Sequence, residues 1–177
     1  QQKVRSRAAS SSSAEDWTEV NKLEVDGFVG YDNLEVQVKV VRYRKIKSVK
    51  SGNQYQLVLN TTPFYSEGGG QLGDTGFLID SKGSKSSIID TKKENNLIVH
   101  YTKHLPENIS DSFTAQVNAE NRFRSECNHS ATHLMHQALR EILGSHIEQK
   151  GSMVNSVNLR FDFSHFAKVT SDELAAV

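Results

Sequence analysis

The sequence predicts an α+β fold, in which a small antiparallel β-barrel is followed by the helix-led start of a second, α+β domain. Two observations support the fold class. Up to residue 117, apolar and polar residues alternate in short runs that turn residues separate, which is typical of antiparallel strands. Beyond residue 118 the pattern becomes helical, and residues 121–143 contain neither glycine nor proline.

These changes of pattern divide the chain into three parts. Residues 1–16 are basic and then rich in serine, and we interpret them as a helix remnant and a linker. Residues 17–117 form the predicted barrel domain, and residues 118–177 form the truncated N-terminal part of the second domain. Residue 1 is not methionine, and Ser171 reads as the N-cap of a further helix, so we expect a piece of a longer protein.

The predicted strands follow one another through the barrel domain. From Leu34 to Val40, every second residue is leucine or valine, which indicates a half-buried strand. A turn at residues 51–53 leads into a returning strand in which Tyr55, Leu57 and Leu59 alternate with polar or smaller residues. Further short strands are expected at residues 76–80, 87–91, 97–101 and 112–117.

A single α-helix is predicted over residues 121–143. It should end at Gly144, because glycine is favoured just beyond a helix C-terminus. Two strands are expected after it, at residues 152–155 and 158–163. The apolar side chains at helical spacing should form the buried stripe of this helix. They are Phe123, Cys127, Leu134, Ala138 and Ile142.

Composition restricts the function classes. The 177 residues carry 21 basic and 21 acidic side chains, so only a local patch can attract a nucleic acid. The single cysteine, Cys127, excludes an internal disulfide and indicates a reducing compartment, which predicts a cytoplasmic location. No apolar run approaches the roughly 20 residues that span a bilayer, so no membrane partner is expected.

A histidine pair on the predicted helix is the strongest chemical signal. His129 and His133 are four residues apart, which places both imidazoles on one helical face, one turn apart. Two neutral imidazoles can supply two ligands to a tetrahedral zinc ion. A solvated polar face is the alternative, and the sequence does not decide whether His146 or His165 adds a ligand. A metalloprotease is excluded because no glutamate stands between the two histidines.

A glycine-rich segment precedes the helix in the sequence. Residues 68–70 are three glycines, flanked by Tyr65 and Gln71. Consecutive glycines permit positive φ angles and close approach of the backbone to another group. An ordinary hairpin turn is one interpretation, and a rigid loop over a pocket is the other. The fingerprint of a dinucleotide-binding loop is absent.

Together these motifs resemble the alanyl-tRNA synthetase family. The matching segments are residues 64–76, 128–136, 144–152 and 159–165, and the resemblance covers almost the whole chain. It implies that the chain extends from the end of the tRNA-recognition part into the editing domain.

The resemblance also implies the roles of individual residues. His129 and His133 would be zinc ligands, and the other two ligands would come from a Cys-x-x-x-His motif beyond residue 177, so the zinc site is incomplete here. Gln149 would lie in the editing pocket, and Thr62 would lie near the bound amino acid with the glycine-rich loop. We assign Gln149 and Thr62 as catalytic residues that supply polar contacts, although Thr62 can equally be structural. ATP and magnesium would belong to a synthetic site outside this chain.

A basic stretch completes the prediction. No acidic residue occurs between Val36 and Ser66, whereas this interval is rich in lysine and arginine. Lysines that protect an edge strand would explain the pattern, and contact with the tRNA backbone near the acceptor end is the functional interpretation. The predicted tRNA-binding residues are Lys39, Arg42, Arg44, Lys45 and Lys47, and Lys50 lies in the same stretch.

The implied function is hydrolytic editing of Ser-tRNA(Ala) and Gly-tRNA(Ala) within alanine-tRNA ligase, with tRNA(Ala) as partner and no DNA. An alanine pocket rejects glycine and serine poorly, because discrimination of this size is worth only about 1–3 kcal/mol. A second, hydrolytic site therefore has a clear purpose. Two alternatives remain open at this point: a free-standing alanyl-tRNA editing hydrolase, and a non-catalytic RNA-binding barrel module.

Overall fold

The structure is a computed structural model, which describes residues 13–48 and 52–177. Within these ranges, antiparallel pairing dominates and two α-helices accompany the strands, which confirms the predicted α+β class. The chain divides into two compact units. Unit 1 combines the described part of Gln1–Ser66 with Gly73–Asn118, and unit 2 combines Glu67–Leu72 with Ala119–Val177. Residues 1–12 of the helix remnant and linker predicted at 1–16 lie outside the described residues, and so does Lys50. At the described end of that segment, Ser13–Ala14 is a short strand that pairs with Ile46 and Lys47.

The elements are numbered in chain order. The helices are α1 (Ala119–Leu143) and α2 (Ser171–Ala176). The strands are β1 (Ser13–Ala14), β2 (Thr18–Glu19), β3 (Gly27–Phe28), β4 (Glu35–Ser48), β5 (Gly52–Leu59), β6 (Thr61–Thr62), β7 (Gly76–Ile79), β8 (Lys85–Ile88), β9 (Asp90–Glu94), β10 (Leu97–Thr102), β11 (Ser112–Val117), β12 (Gln149–Val154) and β13 (Leu159–Phe163).

Unit 1 is built on one large antiparallel sheet. Its strand order is β8-β7-β11-β4-β5-β10-β9, and β1 and β2 pair with β4 as well. The alternation predicted from Leu34 to Val40 is confirmed within β4, since Val38 and Val40 are buried while Gln37 and Lys39 are exposed. Leu34 itself precedes β4 and is exposed. Apolar side chains from β4, β5, β7 and β11 form the core together with Phe64 and Ile88.

The two outer strands of this sheet, β8 and β9, are consecutive in the chain. Only Ile89 separates them, and its N–H donates to the carbonyl of Tyr101 at 2.9 Å. The strand predicted at residues 87–91 is therefore two strands, because residues before Ile89 pair with β7 and residues after it pair with β10. Among the described residues no ladder joins β8 to β9, so the predicted barrel is not confirmed.

Unit 2 consists of the long helix α1, the β12–β13 hairpin, α2 and the segment Glu67–Leu72. The side-chain amide of Asn128 in α1 donates to the carbonyl of Asn155 at 2.8 Å, and the His136 ring lies 5.0 Å from the Phe161 ring. At the end of α1, Gly144 has a φ of 114° and its N–H donates to the carbonyl of Arg140, as the sequence predicts.

The predicted apolar stripe of α1 is wrong. Phe123 is 66% exposed and Leu134 is 73% exposed, and Cys127 and Ile142 are exposed too. The buried residues are instead Arg122, Thr132 and Leu139. The packed face of α1 is mixed in character: Oγ1 of Thr132 donates to the Asn128 carbonyl at 2.8 Å, and such satisfied polar groups can be buried without a large penalty. Nε2 of His136, by contrast, is buried without a hydrogen-bond partner in the described structure.

Candidate metal centre

The two predicted ligands lie side by side on α1. The ring centroids of His129 and His133 are 5.1 Å apart and the rings are inclined by 32°. His129 is half-buried and His133 is exposed. The donor set suits a metal ion such as zinc, because two imidazoles on adjacent helical turns can converge on one ion. Among the described residues, no group of three or more His, Cys, Asp or Glu side chains is arranged to hold a metal, so the pair by itself offers at most two ligands.

One further side chain contacts His129, and sequence reasoning did not assign it. The side-chain carbonyl of Gln71 lies 2.9 Å from Nδ1 of His129. Because a carbonyl oxygen only accepts, Nδ1 of His129 carries the hydrogen and donates it, which leaves the lone pair of Nε2 free. Gln71 is only 5% exposed, so water competes little for this contact. The sequence signal was its position directly after the three glycines.

The segment Glu67–Leu72, hereafter the Gly-rich loop, is fixed by backbone hydrogen bonds. Gly68 and Gln71 exchange N–H to carbonyl bonds of 3.0 and 2.9 Å. The Val154 N–H donates to the Gly70 carbonyl at 2.7 Å, and the Leu72 N–H donates to the Val154 carbonyl at 2.9 Å. The loop is therefore anchored along β12, and it holds the Gln71 amide against α1.

Gly70 shows why the loop needs a glycine at this position. Its φ is 84°, and a Cβ atom there would lie 2.0 Å from Oγ of Ser152 on β12. Gly69 has a φ of 58°, and a Cβ on it would lie 3.9 Å from Cε1 of His129. The backbone at Gly70 thus approaches β12 more closely than a larger residue allows, whereas a Cβ on Gly69 would make only ordinary van der Waals contact with the imidazole.

Gln149 is the first residue of β12, the strand that anchors the Gly-rich loop. It pairs with Phe163 of β13, its side chain is exposed, and a β-bulge follows between Gln149 and Gly151. A bulge changes the direction in which neighbouring side chains point. Gln149 lies in unit 2, as His129 and His133 do, and its exposed side chain is accessible to a ligand.

His146 and His165 form a separate pair. Nε2 of His146 lies 2.9 Å from Nδ1 of His165, and the His146 ring stacks on Phe166 at a centroid distance of 4.4 Å. Each ring thus has one nitrogen engaged with the other histidine.

Thr62 is buried in unit 1, and its hydroxyl group makes two hydrogen bonds. His100 is buried beside it, with Nδ1 lying 3.1 Å from the Leu57 carbonyl and Nε2 lying 2.7 Å from Oγ1 of Thr62. Burial lowers the pKa of His100 to about 4, so the ring is neutral and Nδ1 carries its hydrogen. Nε2 then accepts the hydroxyl hydrogen of Thr62, and Oγ1 accepts the Phe64 N–H at 3.1 Å.

Thr62 also lines a cavity of about 430 Å³ in unit 1. Aromatic rings form one side of it, since Phe28 meets Tyr31 and Tyr65 edge to face at centroid distances of 5.0 and 5.9 Å. Lys93 is the charged residue in its lining. With its hydrogen donated to His100, Thr62 can offer a ligand in this cavity only an acceptor.

The predicted basic residues do not form one surface. Arg42 and Arg44 pair with Val58 and Gln56, whereas Lys45 pairs with Tyr55. Neighbouring residues of a strand point to opposite faces, so the two arginines share one face and Lys45 and Lys47 share the other. Both guanidinium groups lie over the Trp17 ring, at 5.1 and 4.4 Å from its centroid. Lys39 lies on β4 before its bulge and is exposed.

Arg44 is part of a hydrogen-bonded network. It donates to both Gln56 and Glu94, and the Nη2 to Oε2 distance to Glu94 is 2.7 Å. The Glu94 carboxylate also accepts from the Gln56 amide and from the Tyr101 hydroxyl, each at 2.8 Å. Burial and the neighbouring Glu94 carboxylate raise the pKa of Tyr101 to about 12. These contacts give Arg44 a structural role within unit 1.

Comparison with known proteins identifies the family. A family profile described as tRNA synthetases class II (A) matches residues 1–122. The alanine–tRNA ligase of Christiangramia forsetii is 58% identical over 176 residues, which cover 99% of this chain and 20% of that protein. The chain belongs to the alanine–tRNA ligase family.

Other members of the alanine–tRNA ligase family agree with this assignment. The enzyme of Flavobacterium psychrophilum is 56% identical over 185 aligned residues, and that of Parabacteroides distasonis is 52% identical over 176. The chain spans about a fifth of the length of these relatives. No helix in the described ranges is both long and apolar enough to cross a membrane.

Proposed function

We propose that this chain contributes to hydrolytic editing within an alanine–tRNA ligase, by removing serine or glycine from mischarged tRNA(Ala). The observation that carries the proposal is the pair His129 and His133, with Nδ1 of His129 held by Gln71. Surface histidines seldom have a buried amide that fixes one ring nitrogen, whereas metal-ligating histidines usually have such a partner.

Editing answers a chemical limit of the synthetic reaction. A pocket that accepts alanine also admits glycine, and it rejects the extra hydroxyl group of serine by a small factor only. Hydrolysis of the wrong aminoacyl ester then requires a site that binds the amino acid and the 3′ end of the tRNA. ATP and magnesium serve the synthetic reaction of the whole ligase, and we place that reaction outside this chain.

His129 and His133 are the residues that would hold a zinc ion in this proposal. When bound, zinc would supply Lewis acidity for the ester or for the attacking water. Gln149 donates or accepts a hydrogen bond at the serine hydroxyl, since its amide can do both. Thr62 acts as an acceptor in the unit 1 cavity, since His100 takes its hydroxyl hydrogen.

A second element of the proposal is contact with the tRNA backbone. Lys45 and Lys47 share a face of β4, while Arg44 is engaged by Glu94 and Gln56. We therefore assign phosphate contact mainly to Lys45 and Lys47, with Lys39 as an exposed neighbour along the strand and Arg42 and Arg44 held at Trp17. A cytoplasmic location follows from this partner and from the free thiol of Cys127.

The test uses a full-length alanine–tRNA ligase that carries this segment. We expect the wild-type protein to hydrolyse Ser-tRNA(Ala) and to spare Ala-tRNA(Ala). His129→Asn and His133→Asn should each lower Ser-tRNA(Ala) hydrolysis by at least about 100-fold and should reduce bound zinc, because the ion loses a ligand. Gln149→Leu should lower hydrolysis without removing zinc.

Charging of tRNA(Ala) with alanine is the control, since it uses a separate site and should be unchanged in all three variants. Gln137→Leu, an exposed substitution on α1, should change none of these activities. If the histidine variants edit normally, His129 and His133 are not part of the hydrolytic site, and the observation that carries the proposal fails. If the wild-type ligase binds zinc but hydrolyses neither tRNA, the metal is structural, and an RNA-binding role describes this chain better.

A further inference from the structure

We propose that Gln71 is a positioning residue of the metal centre, which holds His129 in the tautomer that presents Nε2 as a ligand. The inference rests on the proposed function, because it concerns the same histidine pair. It extends the site from helix α1 to the Gly-rich loop, which lies 58 residues earlier in the sequence at Gln71.

The hydrogen bond to Gln71 decides which nitrogen of a neutral His129 ring carries the hydrogen. Such a ring has one N–H and one lone pair, and a free histidine exchanges between two tautomers. At His129, Nδ1 faces the Oε1 atom of Gln71 at 2.9 Å, so the tautomer with the hydrogen on Nδ1 gains a hydrogen bond. The opposite tautomer would place two lone pairs against each other. Gln71 therefore favours the form whose free lone pair is on Nε2.

Gln71 is itself held rigidly. The residue is 5% exposed, and its backbone N–H and carbonyl are both bonded to Gly68. On either side of it, Gly70 and Leu72 are bonded to Val154 of β12. An amide that is fixed in this way loses little conformational entropy when it orients the ring, so the lone pair of Nε2 is directed before a metal binds.

The Gly-rich loop also passes close to the His129 ring at Gly69. A Cβ atom on Gly69 would lie 3.9 Å from Cε1 of His129, the carbon between the two ring nitrogens. This is an ordinary van der Waals distance, so the loop passes beside the edge of the imidazole without crowding it. His133, one turn further along α1, is exposed and has no comparable restraint in the described structure. Gln71 consequently acts on one ligand of the pair.

The first experiment reads the tautomer directly, in the 177-residue chain without metal. Long-range ¹H–¹⁵N spectra of histidine distinguish a protonated ring nitrogen from an unprotonated one, and the His129→Asn variant identifies the signals of His129. We expect His129 to carry its hydrogen on Nδ1 in the wild type. Gln71→Leu should produce a mixture of tautomers, whereas Gln71→Glu, which retains an acceptor, should keep Nδ1–H.

The second experiment measures zinc affinity by chelator competition in the full-length ligase. Loss of an outer partner of a metal ligand typically weakens binding by about 10–100-fold. We expect this loss in Gln71→Leu and a much smaller loss in Gln71→Glu. Gln137→Leu is the matched control, because Gln137 is an exposed glutamine of α1 that bonds only to Glu141 among its described contacts.

The outcomes separate the two proposals. If His129 carries its hydrogen on Nε2, or if Gln71→Leu leaves the tautomer and the zinc affinity unchanged, Gln71 is not a positioning residue, and the metal site itself can still stand. If the wild-type ligase binds no zinc through His129 and His133, the metal part of the proposed function fails, whatever the tautomer. Rescue by Gln71→Glu distinguishes positioning from a general loss of folding.

Discussion

At His100, two effects act on one imidazole in opposite directions. Burial disfavours the charged ring and lowers its pKa, while the hydrogen bond to the Leu57 carbonyl favours the charged ring and raises it. Burial is the larger effect, and the pKa is about 4. The ring therefore stays neutral over the physiological range and serves as a hydrogen-bonding support for Thr62.

This pKa makes unit 1 less stable in acid. In the unfolded chain His100 binds a proton below about pH 6.5, whereas in the folded chain it does so only near pH 4. The unfolded state thus holds more protons between these values, and stability falls as the pH decreases, by up to ~3 kcal/mol. Urea unfolding followed by Trp17 fluorescence at pH 7, 6 and 5 measures the slope, since Trp17 is the single tryptophan.

The comparison variant is His100→Gln, which can bond both neighbours and does not titrate. Its stability should change less with pH than that of the wild type. His104→Gln removes an exposed histidine of the same unit and should keep the wild-type slope. Equal slopes for His100→Gln and the wild type would show that His100 is not the group responsible.

Contacts between residues were predictable from the sequence only where they depend on local spacing. The His129 and His133 pair followed from the helical period, because both residues lie on one continuous helix. The contact with Gln71 did not, since the loop reaches α1 through pairing with β12. The engagement of Thr62 by His100 likewise depends on a partner 38 residues away.

At the scale of elements, the Gly-rich loop and the hairpin are held together by close backbone approach. Gly70 and Gly83 both have a φ of 84°, but a Cβ atom on Gly83 meets nothing within 4 Å. Gly83→Ala should therefore lower the free energy of unfolding only through backbone strain, by about 1–2 kcal/mol. Gly70→Ala adds a clash with Ser152 to the same strain, so we expect it to lower the free energy of unfolding by about 2–5 kcal/mol.

Circular dichroism at 222 nm follows α1 during denaturation and reports on unit 2, where Gly70 lies, while Trp17 fluorescence reports on unit 1, where Gly83 lies. Gly70→Ala should also weaken zinc binding, because the loop carries Gln71. Equal destabilisation by the two substitutions would mean that Ser152 moves aside and that the loop does not need a glycine at position 70.

Helix α1 shows a second prediction at this scale. Phe123 and Leu134 are mostly exposed and Leu139 is buried, so Phe123→Ser and Leu134→Ser should change stability by less than about 0.5 kcal/mol. Leu139→Ala should cost about 2–3 kcal/mol, because it opens a cavity in the packed face. Thermal denaturation of the three variants measures these changes in stability. A large loss of stability in Phe123→Ser would show that the apolar stripe predicted from the sequence is buried after all.

The helix and most strands were nevertheless predictable from sequence, because their periods extend over many residues. The orientation of α1 was not, since a period identifies the most apolar face and cannot weigh hydrogen bonds that bury a polar one. The division of residues 87–91 into β8 and β9 was hidden for a similar reason. No turn residue marks the division, because only Ile89 separates the two strands and what changes there is the partner strand.

At the scale of the whole molecule, zero net charge leaves nucleic-acid contact to local surfaces. If Lys45 and Lys47 touch phosphates, Lys45→Ala and Lys47→Ala should each reduce the salt dependence of tRNA binding by about 0.7–0.9 in log–log slope. Arg44→Ala should instead destabilise unit 1 by about 1–3 kcal/mol, because Glu94 and Gln56 lose a partner. Filter binding of tRNA(Ala) to the full-length ligase at several salt concentrations provides the first measurement.

Urea unfolding of Arg44→Ala, followed by Trp17 fluorescence with separate folded and unfolded baselines for each variant, provides the second. Lys47→Ala serves as its control and should unfold like the wild type. A reduced salt slope for Arg44→Ala with unchanged stability would reverse the assignment and place the phosphate contact on the arginine face of β4.

The assignment of the Gly-rich loop to unit 2 has a consequence for how this region can be exchanged. The chain passes from one unit to the other after Ser66, after Leu72 and after Asn118, so a single cut cannot separate them. A chimaera that replaced residues 119–177 alone would combine the helix and hairpin of one relative with the loop of another. Exchange of unit 2 between relatives, whether by natural recombination or by design, would therefore have to transfer Glu67–Leu72 and Ala119–Val177 together.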